Sequence, residues 1–447
     1  MNKLLKKILS YTYAGLFLSL SIAAASTLAV NSVHADELRH DLLALYERAL
    51  GFDAELAVAT AEFQSALPAE SLARSNVRPQ LSIGYRAAIN DVNGDFRGSF
   101  TDQGPNLSLR QTIYNKEHLA TIAEAKASTS QARSQLNEQQ QDLILRVTEA
   151  YFNVLQAESE LAFRRSELDA IERQKEQNDR RFDVGLVAIT DVKDAQAQFD
   201  LATAQEIAAA NSLATAQEAL SLIAGVHTNN LAQLDEKAPL LQPAPANSEA
   251  WVEIAKENNI ALQTAEFAVK SAKAELTGSR AARFPTLDLV GLASSNSSNI
   301  GLRDDSEFGE LRLELNLPLL TGGRNNATVR QSKARLRPSR EQHELQKRLT
   351  VQQTRDAYRN VVAIIAQANA LQKALESTQK SLEAQEAGFA EGLLTSLEVL
   401  RSLRDTFQAK SDYVSARYQY IVNNMTLKRA AGTLSEEDLR EVNNWLQ

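Results

Sequence analysis

The sequence predicts a mixed α/β membrane protein built from two copies of one unit, each a two-stranded β-hairpin joined to a much longer α-helical hairpin. Three observations predict it: landmarks that recur at half the chain length, four alternating apolar/polar runs, and long proline-free stretches with helical periodicity.

The repeat is read from residues at a constant offset, to within one position. "RPQLSIG" at Arg78 to Gly84 answers "FPTLDLVG" at Phe284 to Gly291, with Pro79 matching Pro285. "AYFN" at Ala150 recurs as "AYRN" at Ala357, Gly185 as Gly392, and Ala224-Gly225 as Ala431-Gly432. One repeat therefore runs from 36 to 235 and the other from 248 to 447. The linker 236–247 carries Pro239, Pro243 and Pro245.

Bulk composition agrees. Only 17 of 447 residues are Gly and 9 are Pro, which favours long uninterrupted helices. A formal charge of -8, with no basic run interleaved with aromatics, excludes a nucleic-acid partner. The absence of cysteine excludes disulfides, thiolate metal sites and cysteine nucleophiles. His40, His118, His227 and His343 are scattered, with neither metal-ligand spacing nor a triad-like context, so the expectation is a non-enzyme without cofactors.

In chain order, Lys3, Lys6 and Lys7 precede an apolar run from Tyr13 to Val30 and then Val33-His34-Ala35. This is the pattern of a signal peptide spanning 1–35; an uncleaved anchor is the alternative. After a helical stretch, Leu81, Ile83 and Tyr85 alternate with Ser82, Gly84 and Arg86, which predicts a strand at about 79–88. Leu107 and Leu109 mark a second at about 105–114, and the later repeat predicts strands at about 285–293 and 310–320. Each has roughly the 9–11 residues that a tilted strand needs to cross a bilayer. The bland alternative is a small soluble sheet packed on helices. Four strands cannot close a barrel and edges cannot lie open in lipid, so a membrane reading requires oligomers: a dimer supplies eight strands and a trimer twelve.

The helical hairpins come next along the chain. From Ala120 to Arg181, Leu143, Val147, Ala150, Val154, Ala157 and Leu161 step by four and three as a coiled-coil seam. Its counterpart runs from Glu341 to Phe389, with Pro338 near its start. After each glycine turn a second helix, 190–224 or 397–431, runs back, rich in Ala and Gln. Pro68 is expected to kink or break the early helix.

"RFDVGLVAITDV" followed by "AQAQFD", with "AYFNVLQA", "RPQLSIGY", "PTLDL" and "AAGTLSEEDL", closely resembles the TolC family of outer-membrane efflux and type I secretion channels, over essentially the whole mature chain. The resemblance implies a homotrimer with a 12-stranded transmembrane β-barrel in outer-membrane lipid, continuous with a coiled-coil tunnel in the periplasm. It also implies a passive conduit that docks to a periplasmic adaptor and an inner-membrane efflux pump or ABC transporter. The alternative is an exported coiled-coil structural or adhesive protein without a pore.

Carried over by residue, the resemblance places Val184, Gly185 and Leu186 at one periplasmic tip and Glu391, Gly392 and Leu393 at the other, where the adaptor docks. Thr190 and Asp191 match positions that lock the closed tip to a tyrosine and an arginine. Here those partners are Phe389 and Leu394, which lack the hydroxyl and the donors. The family's pore-facing acidic pair matches Glu398 and Arg401, one carboxylate kept and one reversed in charge. Two local roles compete: Thr395 to Glu398 has the form of a capping box, and Asp191 suits a first helical turn.

Overall fold

A computed structural model describes residues 41–92, 98–228, 230–298, 306–391, 393–394 and 396–447. The expected signal peptide lies outside the described residues.

Side-chain caps set the first elements. The Asp41 carboxylate accepts the Ala44 N–H at 2.7 Å and starts α1 (Leu42–Phe52). Asp53, in an extended conformation, ends α1 and caps α2 (Ala54–Ala66) by accepting from the Leu56 N–H at 2.8 Å. The early helical stretch is thus two helices meeting at a capped corner. As expected, the early helical stretch breaks at Pro68: α2 stops at Ala66, and Pro68 takes the first position of α3 (Pro68–Ser75), where its missing N–H costs nothing.

The strands are β1 (Gln80–Val92), β2 (Gly98–Tyr114), β3 (Thr286–Ser298) and β4 (Ser306–Asn316), antiparallel in the order β1-β2-β3-β4. At the hairpin ends β1, β2 and β3 reach further than their apolar runs suggest, because ladder pairing continues through polar residues such as Asp91↔Ser99 and Asp102↔Ser298. The register aligns one apolar face: Leu81↔Leu109, Leu109↔Gly291 and Gly291↔Leu311 form one row, and Leu287↔Leu315 and Leu289↔Leu313 add two more pairs. On this face Leu81, Leu311, Leu313 and Leu315 are open in the single chain, Leu315 at 72% exposure, while Leu109, Leu287 and Leu289 are half-buried. The opposite face carries ion pairs, Arg110–Asp288 at 3.8 Å and Arg312 to Glu310 and Glu314 at 2.8 Å each. β1 and β4 are the two sheet edges.

From β2 the chain enters α4 (Lys116–Asp183), whose N-cap Asn115 accepts from Glu117 and His118. Its 68 residues extend on the order of 100 Å. α5 (Ile189–Ala224) returns along it. Ala195, Ala202 and Ala209 lie buried at heptad spacing, so small side chains carry the close approach. In the second half, α6 (Ser248–Asn258) and α7 (Ile260–Ala281) repeat the capped corner, with Asn247 and Asn259 in the places of Asp41 and Asp53. α8 (Arg324–Ala390) and α9 (Ser396–Ala431) form the second hairpin, and α10 (Glu436–Asn443) comes after it.

Pro338 corrects one expectation. α8 begins at Arg324 and Pro338 lies inside it rather than at its start. Proline removes a single helical bond, and burial of Ser332 (2% exposed) and Leu336 (5%) anchors the turns that precede it.

The core lies midway along α4 and α8 and toward the C-terminal ends of α5 and α9. Leu143, Val147, Tyr151 and Val154 of α4 meet Leu220 of α5, Val361 and Ala368 of α8, Tyr420, Ile421 and Leu427 of α9, and Leu439 of α10. Of the expected seam on α4, Ala157 alone is only partly buried. Tyr151 donates its hydroxyl to the Ala232 carbonyl at 2.6 Å, and burial raises its pKa. The stretch that follows α5 is stitched to the last residues by Gln233 N–H to Gln447 O at 3.0 Å and Asp235 N–H to Trp445 O at 2.8 Å.

Candidate functional site: the turns of the helical hairpins

The first turn is built by backbone closure. The Gly185 N–H donates to Phe182 O and the Leu186 N–H to Arg181 O, both at 2.8 Å. This closure needs the left-handed angle φ 73° at Gly185. A Cβ there would meet nothing within 4 Å, so dihedral preference alone calls for glycine. The flanking Val184 and Leu186 are 69% and 74% exposed, apolar groups with no covering in the single chain.

Asp191 accepts from the Ala188 N–H at 3.2 Å, and its own carbonyl accepts from the Asn178 side chain at 3.5 Å. Both partners belong to the first hairpin, so this carboxylate serves as a local cap on α5. Thr190 is exposed in the same first turn.

The second turn closes differently. The Glu391 N–H donates to Ala387 O at 3.1 Å and the Leu393 N–H to Gly388 O at 2.9 Å. Gly392 and Thr395 lie outside the described residues. Leu394 folds back onto Gly388 so tightly that a Cβ at 388 would lie 2.8 Å from Leu394 Cδ1. Phe389 beside it is half-buried, whereas Leu393 is 75% exposed. Sequence reasoning missed Gly388, whose signal was a glycine inside a helical pattern one residue before Phe389. Glu398 and Arg401 are exposed in the first turns of α9, and Arg401 lines a cleft between the two hairpins.

A second missed feature is the ionic collar in which the hairpins are rooted. Arg146 of α4 grips the Asp53 cap with two bonds, at 2.8 and 2.9 Å, and reaches Asp142 at 2.9 Å. Arg429 of α9 joins Asp142 at 2.6 Å. The Arg146 hydrogen bonds hold the Asp53 carboxyl below the usual carboxylate range, and Arg146 is raised in return. Asp53 and Arg146 lie 93 residues apart, so no local pattern announces the pair.

Among the described residues no group of acids and histidines is arranged to hold a metal, and no helix is long and apolar enough to cross a membrane. The latter does not bear on β-strands. A family model described as "outer membrane efflux protein" matches residues 45–226 and again 251–433. The chain belongs to that family.

Relatives in the family span its whole length. The outer membrane protein TolC of Vibrio cholerae is 35% identical over 96% of this chain and 98% of its own. The alkaline protease secretion protein AprF of Pseudomonas aeruginosa is 28% identical over 91% of this chain and 88% of its own. Among solved structures, the Campylobacter jejuni CmeC outer membrane channel superposes with a TM-score of 0.77 at 16% identity, covering 91% of this chain and 90% of its own. CusC superposes with a TM-score of 0.76 at 20% identity, covering 88% and 92%. At those identities the structures speak for the fold: a helix-rich chain with one four-stranded sheet.

Proposed function

We propose that this chain is one subunit of a homotrimeric outer-membrane exit channel for efflux or type I secretion, exported by a signal peptide at 1–35 and organised as two repeats, 36–235 and 248–447, around the linker 236–247. The observation that carries the reading is the sheet. Four strands of membrane length present a continuous apolar face, and β1 and β4 are left as edges. Each backbone group unsatisfied in lipid costs several kcal/mol, so such a sheet is stable only when copies close it. Three copies give twelve strands, the number that the family resemblance selects over eight.

The apolar face then meets lipid, and the face with Arg110, Asp288 and Arg312 lines water. The helices α4, α5, α8 and α9 of each subunit extend the lumen as a tunnel into the periplasm. Val184, Gly185 and Leu186, with Glu391, Gly392 and Leu393, form the tip that meets a periplasmic adaptor coupled to an inner-membrane pump. The chain is a passive conduit and performs no chemistry of its own.

Thr190, Asp191, Phe389, Leu394, Glu398 and Arg401 form the constriction. Asp191 is engaged as a cap and Leu394 rests on Gly388, which supports closure by apolar packing rather than by a polar lock. With Arg401 offsetting Glu398, the ring binds divalent cations weakly.

Planar-bilayer recording tests both levels. Discrete conductance, with a heat-modifiable oligomer on gels, is expected; no conductance and a heat-insensitive mobility would favour the structural or adhesive alternative. Arg401→Asp is expected to increase divalent block by about tenfold, since a second carboxylate per subunit replaces a repelling cation. Strong block of the unaltered channel would sink the weak-binding reading.

A further inference from the structure

A cleft of about 430 Å³ opens between the two hairpins, walled by α4, α5 and α9. Its volume lies within the range of small-molecule sites. The α9 wall carries Arg401 and Arg404, nearly one helical turn apart, and Leu400, Leu403 and Phe407 give it an apolar floor, faced by Ile171 from α4. The acid on the opposite wall is Glu167, whose side chain is only 10% exposed.

Glu167 is already matched. It accepts from Arg164 at 3.0 Å, and the same guanidinium bonds Glu160 at 2.8 Å and Gln205 at 3.1 Å. For Arg404 the acid in reach is Asp405, at 4.0 Å and with both side chains more than half exposed, an arrangement worth little in water. Positive charge therefore dominates the cleft mouth while its floor is apolar and aromatic.

We propose that this cleft binds amphipathic organic anions, compounds with a carboxylate or sulfonate on an aromatic or aliphatic body. The acid group lies between Arg401 and Arg404, whose forked donors suit planar oxyanions. The body covers Leu403 and Phe407. The inference rests on the channel reading only for its location beside the constriction, where an occupant would wedge the hairpins apart.

The test is calorimetric titration of the purified full-length protein in detergent with 1-naphthalenesulfonate as the probe. Saturable binding is expected, weakened about tenfold by Arg404→Ala or Arg401→Ala and by raised salt. Phe407→Ala should weaken it independently of salt. Lys333→Ala, which removes an exposed cation on α8, should leave it unchanged, and thermal melting of each variant confirms folding.

A flat isotherm overturns the site, as does equal affinity in wild type, Arg401→Ala and Arg404→Ala, or a loss shared by Lys333→Ala. Because binding is read without a membrane, absent conductance with intact binding would overturn the channel reading alone. A conducting oligomer with a flat isotherm would overturn the cleft alone.

Discussion

The same helices are packed in one region and bare in another. At the collar, α4 and α9 bury Leu143, Tyr151 and Leu427 to 0% exposure and are tied by Arg146, Asp142 and Arg429. Some thirty to forty residues along α4, at the turn, Val184 and Leu186 stand open, and the chain is held by short-range backbone bonds, the Asp191 cap and the Asn178 side chain on the Asp191 carbonyl. Contacts that close a core are long-range and cooperative, whereas those at a helix end are local and open at little cost. The hairpin turns can therefore move while the packed middle of α4 stays fixed.

Paired truncations give the largest expected contrast. Tyr151→Ala removes a fully buried ring and its bond to Ala232, and should cost about 3–5 kcal/mol in denaturant unfolding. Leu186→Ala at the turn should cost less than about 0.5 kcal/mol. A similar loss for both would show that the turn is covered and cooperative, breaking the comparison.

Two glycines with nearly equal backbone angles sharpen it. Gly185 (φ 73°) and Gly432 (φ 74°) both sit in the left-handed region, but a Cβ on Gly432 would lie 2.2 Å from the Asn258 carbonyl oxygen, whereas one on Gly185 meets nothing. Gly432→Ala should therefore cost about 2–4 kcal/mol, dihedral strain plus collision, and Gly185→Ala about 1 kcal/mol from strain alone. Equal melting temperatures for the two variants would contradict the collar's tight packing.

The ionic collar has a smaller and pH-dependent effect. Arg146→Met leaves the Asp53 carboxylate, 4% exposed, without its cation and should cost about 2–3 kcal/mol at neutral pH. Asp53 has a depressed pKa in the fold, so its contribution is complete above the unfolded value of about 4 and is lost as pH falls through the lower folded value. The variant should accordingly show a shallower loss of stability between about pH 4 and 2 than the parent. Parallel acid curves would remove Asp53 from the account.

Local chemistry made much of this molecule legible in advance. Period-two runs, glycine turns and heptad spacing located the strands, the reversals at Gly185 and the seam around Val147, because each depends on residues close in sequence. Pro338 departs from the local expectation because a proline's effect depends on what packs beside it. Buried Ser332 and Leu336 anchor the turns before it inside α8, whereas Pro68 breaks the early helical stretch as its fixed ring predicts.

Sequence alone was enough for the strands, the helical hairpins and the glycine at the first turn, since periodicity and dihedral preference act over a few residues. Tertiary structure alone decided that Arg146 grips Asp53, that Leu394 rests on Gly388, and that Glu167 and Ile171 of α4 face Arg401, Arg404 and Phe407 across one cleft. Those relations join helices tens or hundreds of residues apart, or fold a turn back on itself. No periodic pattern carries them, because they arise only when long helices settle into register against one another.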